Sequence, residues 1–245
     1  MTVGTTSTSF GDLTLLSTFE LGADGIVNLG SASSITNSGS INVTGNGATG
    51  IGNYGGSVNS LINSGTISAK NGIVNSNLGN NSASISTFTN MNGGSITGTS
   101  VNDYGNGFYN NSTLTTFTNS GSISGLSTNS LGMGINNYTS GSISDFTNSG
   151  TISGSSYGIA NSGTISSLKI SSTGSISGTS IGILNSGTIT TLTNGQGGDA
   201  SQAANTALTF SGSLPTNYNI LISSSTHYGQ VDVSNGSGTL TFGVD

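Results

Sequence analysis

Apart from its tyrosines and chain ends, this 245-residue sequence offers only eight carboxylates, one histidine and two lysines for ionic chemistry. The acids are Asp12, Glu20, Asp24, Asp103, Asp145, Asp199, Asp232 and Asp245. A glycosidase holds two carboxylates on the order of 5–10 Å apart across the scissile bond. Here no two acids fall at one position of neighbouring sequence repeats. A polysaccharide lyase would need clustered acids for calcium and a cation for the enolate-like charge. Asp103 and Asp145 stand in different repeats, and arginine is absent. His227 has no repeat-borne partner to orient it as a base, and no serine sits in a nucleophile elbow. Gly197-Gly198-Asp199 carries one element of a calcium-binding nonapeptide repeat, but it occurs once. The sequence therefore predicts no catalytic residue, no metal site and no cofactor.

The charge pattern removes further classes. Only 4% of the residues are charged, the cations are Lys70 and Lys169, and the net charge is -6. Without a basic footprint, no nucleic acid and no anionic membrane surface is expected as a partner. No run approaches the length of a membrane helix, so no membrane insertion of this segment is expected. The N-terminal stretch MTVGTTSTSFGDLTLLSTFEL lacks a basic region and is not a secretory signal, so an exported chain would carry its signal outside this sequence. Cysteine is absent, which excludes disulfides and thiolate metal sites. The 41 glycines and abundant Ser, Thr and Asn match a flexible linker in composition. The 31% of hydrophobic residues are spaced periodically, however, and a disordered chain would not keep them so.

What positions these residues is a repeat. Asn-Ser-Gly-Ser/Thr-Ile stands intact at 37–41, 63–67, 119–123, 148–152, 161–165 and 185–189. Degenerate forms occur at 90–96, 139–143 and 172–176. From Phe146 to Leu192, Ile152 aligns with Ile176, Ile159 with Ile183, Ile165 with Ile189 and Leu168 with Leu192, an offset of 24 residues (176 − 152). The template extends upstream through Ile35/Ile41/Ile51/Val58, Leu61/Ile67/Ile73/Ile85, Phe88/Ile96/Phe108/Leu114 and Phe117/Ile123/Ile135/Ile143, and closes with Ile170/Ile176/Ile183/Ile189. Each apolar centre is flanked by hydroxyl residues, as in Thr151-Ile152-Ser153, and this period of two with β-branched residues reads as strand. Glycine at most corners disfavours helix. The expected fold is all-β: a single-stranded parallel β-helix with three strands per turn and an antiparallel β cap at its C-terminus. Residues 1–30 would form an N-terminal cap and first partial turn, 31–194 about six turns, and 195–245 the C-terminal cap.

Two residues after each Gly-Ile or Gly-Phe centre comes asparagine: Asn53, Asn75, Asn110, Asn137, Asn161 and Asn185. Period two points these amides inward, where they must pair, and stacked amides can pair with one another as a structural ladder. A second series, Asn37, Asn63, Asn90, Asn119, Asn148 and Asn194, follows the leading residues and is broken at Ser172. Phe88, Phe117 and Phe146 predict an aromatic column inside the core. In the tail, TALTF, NYNILIS, YGQVDVS and GTLTFGV with a turn at Asn235-Gly236-Ser237-Gly238 read as antiparallel capping strands. The sole proline, Pro215, falls in a loop where a lost N–H is harmless. Ser/Thr-x-Ser/Thr triplets should line two outer faces, one at 66–68, 95–97, 122–124, 151–153 and 175–177, the other at 84–86, 113–115, 142–144, 164–166 and 188–190. Such hydroxyl arrays solvate a strand surface, and regular ones also occur on ice-binding β-solenoids.

The unit NSGTIxG…YGIxNSGTIxxLxN, over roughly residues 26–194, resembles the passenger region of bacterial autotransporters and related large surface adhesins. The tail LTFSGSLPTNYNILISSSTHYGQVDVSNGSGTLTFGV is similar to the segment that precedes the translocator in some of them. The resemblance implies a right-handed β-helix exported across the bacterial outer membrane to the cell surface. It also implies adhesion, aggregation or display, with host or neighbouring-cell glycans or proteins as partners. A self-assembling extracellular filament, built by end-to-end association, is the alternative, and an ice-binding solenoid is a second one.

Overall fold

The computed structural model describes residues 2–3, 8–10, 13–15, 24–129, 131–197 and 206–245. Asp12, Glu20, Asp199 and most of the expected N-terminal cap lie outside them. A chain of short alternating segments separated by glycine-bearing corners can bury its apolar side only by winding over itself. It does so with three strands per turn. Asp24–Asn28 lies on one face (A), Ser31–Asn37 on a second (B) and Ser40–Val43 on a third (C), after which Thr49–Tyr54 returns to face A. Every pairing within the three faces is parallel; faces A and B each hold ten strands and face C seven. In Ser57–Asn63 the burial alternates, so Val58, Leu61 and Asn63 point inward while Ser57 and Asn59 face solvent.

Equivalent side chains stack in columns. Ile67 pairs with Ile96 and Ile96 with Ile123 on face C. On face A, Ile51, Ile73, Phe108 and Ile135 succeed one another. Nearly all of these are fully buried, and each contributes on the order of 1.5–3 kcal/mol by leaving water. On face B the Phe88, Phe117 and Phe146 rings stack with centroids 4.7 and 4.4 Å apart. Phe108 enters from face A at 4.9 Å from Phe88 and ties the two sheets together.

Three expectations need correction. First, Leu168, not Ile170, pairs with Phe146, so Ile170 occupies the column of Asn148 and Ser172 lies in the following corner. Leu168 and Ile170 are two residues apart and alternate identically, so only pairing with the turn before distinguishes them. Second, the antiparallel element of the tail is small: Ile222–Ser224 against His227–Tyr228. Leu208–Ser213 and Val231–Ser237 instead extend face A in parallel, and Asn217–Ile220 and Thr241–Val244 extend face B. Phe210 thereby inherits the column of Ile183, and Tyr218 that of Leu192. Third, Asn235-Gly236 does not turn a hairpin. It makes a bulge within Val231–Ser237, where the register shifts opposite Ser211 and Gly212. Among the described residues, Asn235 is the non-glycine residue with positive φ, 51°. Asn-Gly supplies that left-handed backbone equally well to a turn and to a bulge.

Candidate functional site

The inward asparagines form two continuous hydrogen-bond ladders. At the corner from face A to face B, each Nδ2 donates to the Oδ1 of the next turn: Asn28 to Asn53, Asn53 to Asn75, Asn75 to Asn110, Asn110 to Asn137, Asn137 to Asn161 and Asn161 to Asn185, all at 2.7–2.9 Å. At the corner from B to C, Asn37 donates in the same way to Asn63, Asn63 to Asn90, Asn90 to Asn119 and Asn119 to Asn148, all at 2.8 Å. Second donations go to corner carbonyls, as from Asn110 to Ser112 O at 3.0 Å. The ladders thus saturate buried amides that would otherwise each cost about 1–3 kcal/mol. Among the described residues, the buried side-chain polar atoms without a partner are the first acceptors, Oδ1 of Asn28 and of Asn37. Where Ile170 interrupts the second ladder, Asn148 turns its Nδ2 to Gly150 O and Ser175 O, and the Oδ1 of Asn194 accepts from the Gln196 N–H instead. The amides are occupied with one another and point away from solvent.

Outside, the chain is clad in hydroxyls. On face B, Ser84, Thr113, Ser142, Thr164 and Thr188 stack in one column, and Ser34, Ser60, Thr87 and Thr116 stack in another. The outward columns of this face carry two charges, Asp145 and Lys169, and one large apolar residue, Ile62. Lys169 pairs loosely with Asp245 at 3.3 Å, with both side chains about half exposed. An ion pair this open contributes little. His227 lies in the small antiparallel element, where its Nδ1 is 2.9 Å from both Ser224 Oγ and Thr226 Oγ1. Among the described residues no cluster of three or more His, Cys, Asp or Glu side chains could hold a metal ion.

A concave feature that brings tyrosines and charges together lies elsewhere, along the corner from face C to face A. Only Lys70 separates Thr66–Ala69 from Asn71–Ser76, whereas residues 44–48 and 101–104 separate the corresponding strands of the turns on either side. A short corner between two long ones leaves a notch. The notch opens into a groove of about 340 Å³. Val74 forms the floor, paired between Gly52 and Tyr109. Tyr54 folds its ring back over Gly52, where any side chain would collide with it. Tyr109 stands on the other side of Val74 with its ring 5.9 Å from that of Tyr138, and Tyr104 adds a third, largely exposed wall.

The polar groups of this groove are fixed. Lys70 Nζ donates to Asp103 Oδ2 at 2.7 Å, and the lysine side chain is only 14% exposed. Asp103 is itself held, since its Oδ1 accepts from Tyr104 N at 2.7 Å and its own N–H donates to Ser100 Oγ at 3.1 Å. Asn106 Nδ2 donates to Asn71 Oδ1 at 2.8 Å. Tyr54 Oη lies 3.0 Å from Thr49 Oγ1. A second depression of about 290 Å³, lined by Asn46, Thr99 and Asn102, adjoins Lys70 from the other side. Burial raises the Tyr54 and Tyr109 hydroxyls above the usual phenol range, so both stay neutral donors at physiological pH. The hydrogen bond from Lys70, followed by that from the Tyr104 N–H, lowers the Asp103 carboxyl. A depressed carboxylate adds stability above its unfolded pKa and loses it as pH falls through the folded value. The pair should therefore open at a lower pH than that at which an unpaired aspartate titrates. A carbon-detected NMR titration should place the Asp103 midpoint below about 3.9, and Lys70→Met should return it upward.

No protein-family model, no curated protein and no solved structure matches the chain. The β-solenoid stands on its own geometry. Sequence reasoning did not find the groove, although four of the seven tyrosines and one of the two lysines fall between 54 and 138. Its signal was the unequal length of successive corners, which the repeat alignment absorbs as insertions. The alignment also leaves out Asn28, which begins the first ladder.

Proposed function

We propose that this chain is a non-catalytic structural β-solenoid of the bacterial cell surface, of the autotransporter-passenger type, which acts in adhesion, aggregation or display. The observation that carries this reading is the outer face B, a long parallel sheet covered by short hydroxyl side chains and nearly free of charge. Such a surface is wettable and flat, and it can meet another extended polar polymer through many weak contacts. The closed amide ladders and stacked core make the solenoid a rigid spacer that holds this surface away from its point of attachment. Purified protein should bind glycan-coated surfaces or self-aggregate on beads. Lysine substitutions at the exposed Thr115 and Ser166 of face B should weaken that binding several-fold with an unchanged circular dichroism spectrum. Retention of full binding by both variants, or no binding to any glycan or protein surface, would count against the reading.

End-to-end association is favoured by a separate feature. The last strand of face B leaves Phe242 and Val244 about 70% exposed, and Val233 on face A is 43% exposed. An apolar open strand edge is a template for another chain. Sedimentation velocity over a wide concentration range should then show growing species, and a constant monomer would remove this alternative. Ice binding has weaker support, because Ile62, Asp145 and Lys169 interrupt the hydroxyl columns.

A further inference from the structure

We infer that the groove around Lys70 and Asp103 is a discrete binding site for a short, uncharged oligosaccharide. The inference rests on the adhesive reading above and assigns a local ligand site that the hydroxyl faces do not supply. A pyranose ring presents an apolar C–H face on one side and hydroxyls around its rim. The groove offers matching surfaces: tyrosine rings on both sides of an apolar floor, and fixed polar groups at one end. Aromatic side chains take the C–H face, while the phenol hydroxyls, amides and ion pair take the rim. Its volume lies at the low end of the range of about 300–1,000 Å³ typical of ligand pockets.

The charge state selects a neutral ligand. Lys70 and Asp103 already neutralise each other at 2.7 Å, and Asp24, hydrogen-bonded to Thr49 beside Tyr54, adds only negative charge, so an anion finds no free cation and would have to displace the carboxylate. A neutral hydroxyl can join the pair without breaking it, accepting from Lys70 Nζ and donating to a carboxylate oxygen in charge-assisted hydrogen bonds. The same argument removes phosphate-bearing ligands, since the groove has no free cation for them. An extended peptide is also disfavoured, because the strands Thr49–Tyr54, Asn71–Ser76 and Gly105–Asn111 are paired to neighbours on both edges and leave none for strand addition. Two features suit binding better than mere packing. Lysine ordinarily keeps its ammonium in open water, yet here it is held under the groove wall. Asn71 lines the same space, and its Nδ2 donates to no group among the described residues.

The test uses the full chain and saturation-transfer NMR with calorimetry. The probes are cello-, malto-, xylo- and manno-oligosaccharides of two to four units, each beside a sulfated counterpart. At least one neutral probe should bind and perturb Tyr109 and Asp103. Tyr109→Ala and Asp103→Asn should each weaken it by about tenfold or more, as truncation of a central contact does. Tyr228→Ala, in the distant antiparallel element, should leave it unchanged. Asp103→Asn keeps the site's shape, so it decides the matter should Tyr109→Ala lose stability. Binding by sulfated probes alone, unchanged affinity in Asp103→Asn, or no perturbation of groove residues by any neutral probe would overturn the inference. If the protein adheres to glycan surfaces but no soluble neutral probe perturbs the groove, the groove assignment fails and the adhesive reading stands. If soluble sugar titrates the groove but no surface is bound, the reverse holds.

Discussion

Asn110→Asp should destabilise the solenoid by about 4 kcal/mol at pH 7, and the deficit should shrink as the pH is lowered. Asn110 is fully buried. Its Oδ1 accepts from Asn75 at 2.9 Å, and its Nδ2 donates to Asn137 Oδ1 at 2.8 Å and to Ser112 O at 3.0 Å. Aspartate keeps the accepting oxygen but places a second one where the amine stood, facing two oxygens. Ionised, it is a buried charge with a single donor. Protonated, its O–H can serve one of the two acceptors, which is why acid rescues it in part. The sign follows from linkage: burial and the facing oxygens raise the folded pKa above the unfolded value of about 3.9. The penalty is least below that unfolded value, grows as pH rises towards the folded pKa, and is constant above it. Asn110→Leu, which carries no charge, should show a pH-independent loss of about 2 kcal/mol. Chemical denaturation at several pH values, with amide exchange in the flanking turns, separates the two. Equal and pH-independent losses in both variants would refute the ladder as the origin.

The native interruption at Ile170 shows how such a loss is avoided, and how far the sequence reveals it. Asparagine two residues beyond each Gly-Ile centre is visible by inspection, because a strand period of two fixes which side it faces. That Leu168 rather than Ile170 leads its strand is not visible, since both would be inward. Nor does period two say whether a strand pairs parallel or antiparallel, and so the tail strands read as hairpins although they continue faces A and B. Phe210 and Tyr218 join existing core columns, and this long-range packing outweighs the local turn signal at Asn235-Gly236. The groove was the least legible part. Tyr54, Lys70, Asp103 and Tyr109 come together only through the stacking of three successive turns, and the unequal corners between faces C and A carry no motif.

The Gly-Ile or Gly-Phe pair of face A marks the opposite case, a local motif whose meaning is entirely long-range. Gly107→Ala should cost about 3 kcal/mol, at the upper end for an overpacked core. The backbone does not require glycine there, because Gly107 has no positive φ. Space requires it: an added Cβ would lie 2.6 Å from Gly134 O and 2.6 Å from the Cγ2 of Ile123 on face C. The carbonyl belongs to the parallel ladder and cannot retreat without breaking hydrogen bonds on both sides. Gly134 with Ile152, and Gly158 with Ile176, repeat the contact, so faces A and C converge along this whole line. Gly30 supplies the control within the same chain. It too lacks positive φ, and nothing lies within 4 Å of the position its Cβ would take. Gly30→Ala should therefore stabilise by about 0.5 kcal/mol, through the reduced freedom of the unfolded chain alone. Denaturation midpoints that move in opposite directions for the two variants would establish that glycine in the repeat is selected by the approach of face C. Midpoints that move together would mean that backbone freedom, and not the closeness of the two sheets, sets its place.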